Sequence, residues 1–211
     1  MFGQTVSGQV ADAPPANNSQ PDVEGGSGLG LKVTAAAIGV LAVAASVMVG
    51  AGTAGVLGGG LALIMLAIAI TDARSFLIPD PLNLAAVMLG LASAAVLGQG
   101  DLAVMAEAVL RAVFVAGAFL ALHLAYLRLR RRRGIGLGDV KLAAVAGIWL
   151  DWPIVPIAIE IAALSALATY AVRRYALRHR LRPSTRLPFG LFFAPAIWIC
   201  WLLQTTLPSG W

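Results

Sequence analysis

The chain has 211 residues, 59% of them hydrophobic and 12% charged, and a mean hydropathy of +0.85. A soluble domain of this size cannot hide so much apolar surface, so the expected class is an all-α polytopic membrane protein built of spans of about 20 residues. A net charge of +5 suggests nucleic acid in a soluble protein; in a membrane protein it reports topology and anionic-lipid contact, so no nucleic-acid partner is expected.

Residues 1–31 are rich in Pro, Gly, Ala, Asn and Ser, and carry acidic Asp12, Asp22 and Glu24. They lack the basic start and early apolar core of a signal peptide and are expected to form a disordered cytoplasmic tail, with 32–211 as the transmembrane domain. From Lys32 onward the pattern predicts about seven spans, near 33–51, 55–72, 82–98, 104–127, 139–151, 153–173 and 187–207. The glycine-rich stretch 52–60 predicts a close hairpin between the first two. The fifth segment is only about 20 Å long as a helix, against a hydrocarbon core of roughly 30 Å. It must begin below the surface, tilt, or sit in locally thin bilayer, which puts Asp139 at or just inside the membrane boundary.

Basic residues set the orientation. Arg128, Arg130, Arg131, Arg132, Arg133 and Lys141 flank one loop, and Arg173, Arg174, Arg178, Arg180, Arg182 and Arg186 fill another. Lys32 and Arg74 fall on the same side, and only Arg111 does not. That side is expected to be cytoplasmic, together with the N-terminus. Trp149, Trp152 and Trp211 fall near outer ends, where interfacial anchors belong.

Two carboxylates stand out. Asp72 closes the second span and Asp139 opens the fifth, both at the cytoplasmic face and at similar depth. Two such groups brought close in a low-dielectric setting cannot both ionise easily and tend to share a proton, the state that suits aspartyl hydrolysis. Alone, either is equally well an ordinary boundary residue, and Asp139 a simple helix cap. Gly134, Gly136 and Gly138 remove side chains where backbone must pack tightly or take positive φ. The stretch makes a poor phosphate loop, because it lacks the Gly-Lys-Ser/Thr ending and a preceding strand.

Other charges read more plainly. Pro79 and Pro81 break the chain after Asp72; Asp80 between them pairs with Arg74 or keeps the loop wet. Lys141 biases the carboxylate pair or, by default at that depth, touches lipid phosphate. Glu160, inside the sixth span, is expected to make an interhelical hydrogen bond, and His123 to pack or snorkel. With Cys200 as the only cysteine and no cluster at metal-site spacing, no metal and no other cofactor is expected.

Asp72 followed by Ile78-Pro79-Asp80, then Gly136-Leu137-Gly138-Asp139-Val140-Lys141-Leu142, then Leu187-Pro188-Phe189-Gly190 resembles the type IV prepilin peptidases, members of the GxGD class of membrane aspartyl proteases. The likeness runs from about residue 55 to the end, and the three motifs together are specific. It implies a six-helix peptidase core, preceded here by one extra helix. It also implies an inner-membrane endopeptidase that removes short basic leaders from prepilins and pseudopilins on the cytoplasmic side. By that likeness Asp72 and Asp139 are the catalytic pair and Gly136 and Gly138 shape the turn. Pro188, Phe189 and Gly190 support the site from the last span, and Lys141 lies beside it. Larger members also methylate the new N-terminus through an inserted domain whose cysteine pairs bind zinc. Neither is present here, so cleavage without methylation is implied, as in the compact peptidases of Flp-type pili or archaeal flagellins. The tail and Glu160 match nothing in the family.

Two other readings stay open. A presenilin-like protease shares GxGD, but there the aspartates lie on consecutive spans and a Pro-Ala-Leu motif stands where this chain has Leu187-Pro188-Phe189-Gly190. A proton-coupled transporter also needs membrane carboxylates, but should show internal repeats or broken helices at mid-membrane. The arginine loops would repel a basic leader and are assigned to anionic lipid. Asp80 or the acidic tail is the candidate docking point for a leader. The oligomeric state is left open.

Overall fold

In lipid every backbone N–H and C=O needs an internal partner, and a helix supplies one locally. The computed structural model is all-helical over its described residues, which are 24–130, 136–176 and 188–207. Gly134, arginines 131–133, 178, 180, 182 and 186, Trp211 and most of the expected tail lie outside them. Seven α-helices follow in order: α1 (Glu24–Val49), α2 (Thr53–Ser75), α3 (Asp80–Leu97), α4 (Leu102–Arg130), α5 (Leu137–Trp149), α6 (Ile154–Ala171) and α7 (Gly190–Thr206). A π-helical turn, Val172–Ala176, extends α6. Five of them, α1 to α4 and α6 with its extension, are long and apolar enough to cross a membrane. The protein is a polytopic helical membrane protein.

The first helix starts at Glu24, so residues 24–31, expected within the tail, are helical. Val43 and Val47 of α1 lie against Gly59 and Gly55 of α2, forming the expected hairpin. Trp198 of α7 donates its indole N–H to Ser46 at 2.9 Å, tying α1 to the bundle.

The centre of the bundle is α5. It packs on α3, α4 and α7, and α2 in turn packs on α3 and α7. Leu142, Ala143 and Val145–Leu150 are buried with Ile68 of α2 and Phe193 and Ile197 of α7. Being enclosed by protein, α5 need not span the bilayer, but its C-terminal carbonyls then end where water is scarce and require internal partners. Arg111 of α4, 8% exposed, donates to the Gly147 carbonyl at 3.2 Å and pairs with Glu107 at 2.8 Å. Gln204 of α7 donates to the Trp149 carbonyl at 2.8 Å. Arg111, the exception to the charge asymmetry, is thus the cation at the C-terminal end of a helix, where the dipole favours it. Gly147 permits the approach of the two helices: a Cβ there would stand 2.6 Å from the Cα of Ala112.

Two side chains differ from expectation. Trp149 is buried and donates its indole N–H to the Ala86 carbonyl at 2.9 Å, so it is a core residue of the α3–α5 contact and not an interfacial anchor. Trp152 stays exposed, edge-on to Phe114. Glu160 is exposed on the outer face of α6 and makes no interhelical hydrogen bond among the described residues. It lies on the side of α6 opposite the buried Ala158 and Ala162, two residues from each.

Candidate functional site

Asp72, 5% exposed, sits one turn before the end of α2. A carboxylate taken out of water needs donors. Here they come from another helix: the Leu191 N–H donates to Asp72 Oδ2 at 2.8 Å, and the Gly190 N–H also reaches the carboxylate. These are first-turn N–H groups of α7, which have no partner inside their own helix. Phe189, at the start of α7, supplies no side-chain cap, so Asp72 does so from 119 positions away. Position 190 must be glycine for this: a Cβ would stand 2.8 Å from Asp72 Oδ2 and 2.8 Å from Ile78 Cδ1. Pro188 and Phe189 are half-buried just ahead of it. Phe189 packs on Phe193 with centroids 5.4 Å apart, and Phe193 stacks on Phe119 of α4 at 5.7 Å, which anchors the start of α7.

Asp139 lies in the first turn of α5 and is more open. Its Oδ2 accepts the Gly136 N–H at 3.2 Å, so it caps its own helix. Gly136 is extended, φ −74° and ψ 147°, and Gly138 is helical. Neither occupies the left-handed region, and close packing is the reason for both. A Cβ on Gly138 would meet Ile78 at 3.2–3.3 Å, and one on Gly136 would meet Asp139 Oδ2 at 3.2 Å.

Ile78 joins the two halves. Its side chain lies against both Gly138 and Gly190, between the turn that carries Asp139 and the turn that holds Asp72. The chain reaches this position because Phe76, in the left-handed region at φ 54°, ends α2 with its N–H on the Asp72 carbonyl. Pro79, extended at φ −64° and ψ 130°, then starts α3. The two carboxylates stand at the same end of the bundle, within electrostatic reach of each other. One buried and one half-buried carboxylate at the same end of the bundle suit acid–base work in which one is protonated and the other activates water.

Asp80 binds Lys141, not Arg74, through an ion pair between exposed side chains. Parallel packing of α3 beside α5 sets their first turns level and brings together residues 61 positions apart. Lys141 is therefore engaged by protein, and Asp80 is not a free acidic docking point. His123 is buried in α4, packed as expected. Among the described residues no three His, Cys, Asp or Glu side chains converge. The Leu191 N–H and the wedge at Ile78 were missed as site features. The first had a faint signal, since Pro188-Phe189-Gly190 opens an apolar segment and so exposes helix-start N–H groups.

Comparison with known proteins gives the chain relatives. Residues 61–171 match the type IV leader peptidase family. The chain is 35% identical over 160 residues to a prepilin leader peptidase/N-methyltransferase of Burkholderia pseudomallei, covering 75% of this chain and 50% of that protein. It is 33% identical over 130 residues to the prepilin leader peptidase/N-methyltransferase of Escherichia coli K12, covering 62% and 55%. It is 32% identical over 125 residues to leader peptidase HopD of Escherichia coli, covering 59% of this chain and 78% of HopD. The chain spans about half the length of the first two relatives. No solved structure matches significantly.

Proposed function

The chain belongs to the type IV leader peptidase family, and on that premise we propose that it is a membrane aspartyl endopeptidase removing short leader peptides from prepilins or pilin-like precursors. Asp72 and Asp139 are its catalytic pair. One carboxylate takes a proton from water as the oxygen attacks the scissile carbonyl, while the other, carrying the shared proton, polarises the carbonyl oxygen. Collapse of the tetrahedral intermediate breaks the C–N bond, and the proton taken from water goes to the departing amine. The observation that carries this reading is the placing of Asp72 and Asp139 at one end of the bundle, joined through Ile78.

Gly136 and Gly138 clear the space beside Asp139, Gly190 does so beside Asp72, and Pro188 and Phe189 hold α7 in place for it. Lys141 steadies the loop through Asp80. The site faces the cytoplasm of a bacterial inner membrane, with the arginine-rich segments on anionic lipid. Cleavage without methylation is the activity of this stretch: its one cysteine, Cys200, is buried in α7, so it offers no cysteine pairs for zinc.

Co-expression with a set of prepilin-like precursors, read by mass, tests the reaction. Loss of the leader with the native chain, and its retention with Asp72→Asn or Asp139→Asn, is the expected result; processing at the native rate by either inserted variant would sink the assignment. Orientation has its own test. A cysteine at Arg131 should react with a membrane-impermeant thiol reagent only from the cytoplasmic side, and labelling from outside overturns it.

A further inference from the structure

One buried polar side chain is left unexplained by this site. Asn83, 5% exposed, lies one turn into α3, and neither its Oδ1 nor its Nδ2 has a hydrogen-bond partner among the described residues. A carboxamide offers two donors and an acceptor, and leaving them unmet away from water is costly enough that native cores rarely do it. An apolar side chain of similar volume would suit the resting fold better. The position is also well defined. Asn83, Ala86, Gly90 and Ser93 form the buried stripe of α3; Ala86 accepts the Trp149 indole, and Gly90 lies against Ile148 and Trp149. Asn83 thus continues the face turned to α5, about 4.5 Å along the axis from Asp80, which bridges to Lys141. It lies one turn deeper in the bundle than the segment wedged between the two aspartates.

We propose that Asn83 binds the main chain of the substrate on the membrane side of the scissile bond, an inference that rests on the peptidase reading above. A precursor held for cleavage must be extended across the carboxylates, which frees peptide N–H and C=O groups in surroundings that cannot solvate them. The carboxamide of Asn83 meets the N–H and the C=O of one extended residue, which point to the same side of the strand: its Oδ1 accepts from the N–H and its Nδ2 donates to the C=O. The Ile78–Asp80 segment leads straight into its turn, with the Asn83 N–H on the Pro79 carbonyl at 3.3 Å, and the Asp80–Lys141 pair between exposed side chains fastens it only weakly. Substrate that displaces this segment exchanges its own unmet peptide groups for those of Asn83.

The test uses the full chain in lipid nanodiscs and a synthetic precursor with a basic leader and an apolar helix. Asn83→Leu should melt no lower than the native protein, while its kcat/KM falls about tenfold or more, as loss of a desolvated hydrogen bond does. Replacing the successive amides after the scissile bond by esters, one at a time, should find one position costing the native enzyme a similar factor and the variant nothing further. Native kcat/KM in the variant, a matching fall in melting temperature, or additive losses at every ester position each overturns the inference. If the native chain cleaves and the variant cleaves equally well, this inference fails alone. If the native chain does not cleave, or Asp72→Asn cleaves normally, the peptidase reading fails and takes this one with it.

Discussion

Asp72 and Asp139 are the same residue type at the same end of one bundle, yet they are held in opposite ways. Asp139 caps its own helix through Gly136, three positions away. Asp72 is buried and caps a helix 119 positions away. The local arrangement forms whenever α5 forms; the remote one exists only after α2 and α7 have packed. The position of Asp139 is thus a property of a turn, and that of Asp72 a property of the assembled bundle.

The largest effects test whether both are needed. Asp72→Asn and Asp139→Asn should each lower prepilin cleavage by roughly 10²–10⁴-fold or more. Truncation should separate them in stability. Asp72→Ala removes the acceptor that caps α7 and should cost about 1–2 kcal/mol, with Asp139→Ala costing less because its carboxylate is only half-buried. Equal melting temperatures in the same detergent would erase the distinction between remote and local capping.

The glycines give the next contrast. In Gly190→Ala the new Cβ meets the far ends of Asp72 and Ile78, which can move aside. Stability should fall by about 1 kcal/mol, but the carboxylate is displaced, so kcat/KM should drop on the order of a hundredfold. Gly138→Ala presses only on Ile78, at 3.2–3.3 Å, and should cost about tenfold or less. Steady-state kinetics that rank the two the other way would show that Ile78, not the seating of Asp72, is the sensitive element.

The smallest effect concerns the pair that is neither buried nor capping. Lys141→Met removes the ion pair with Asp80, whose side chains are exposed, and should change stability by no more than about 0.5 kcal/mol. Cleavage should stay within about threefold of native, and fall less steeply with added salt than the native rate does. A tenfold loss would place Lys141 in the chemistry with the aspartates.

Much of this was legible from residues alone. Runs of apolar residues marked out all seven helices, and breakers such as Ile78-Pro79-Asp80-Pro81 marked their ends. Counting spans placed Asp72 and Asp139 at one face, because two intervening spans return the chain to the side it left. The shortness of the segment after Asp139 made it the odd helix, and the structure explains that oddity by enclosing α5 in protein.

Which face of each helix turns inward was not legible. In a soluble helix the polar side faces water and gives the answer; lipid is as apolar as a protein core, so these helices carry no such stripe. Trp149 therefore turned in where an interfacial anchor was expected, Glu160 turned out where an interhelical bond was expected, and Arg111 proved to be the partner of the Gly147 carbonyl near the end of α5. The same blindness hid Asn83 and the α7 donors on Asp72. Apolar runs and breakers were enough to place the helices of the described residues, apart from the start of α1, and the end on which the two aspartates fall. Only packing decided what each aspartate touches, because those contacts join helices far apart in the chain, and no pattern along a uniformly apolar helix records its neighbours.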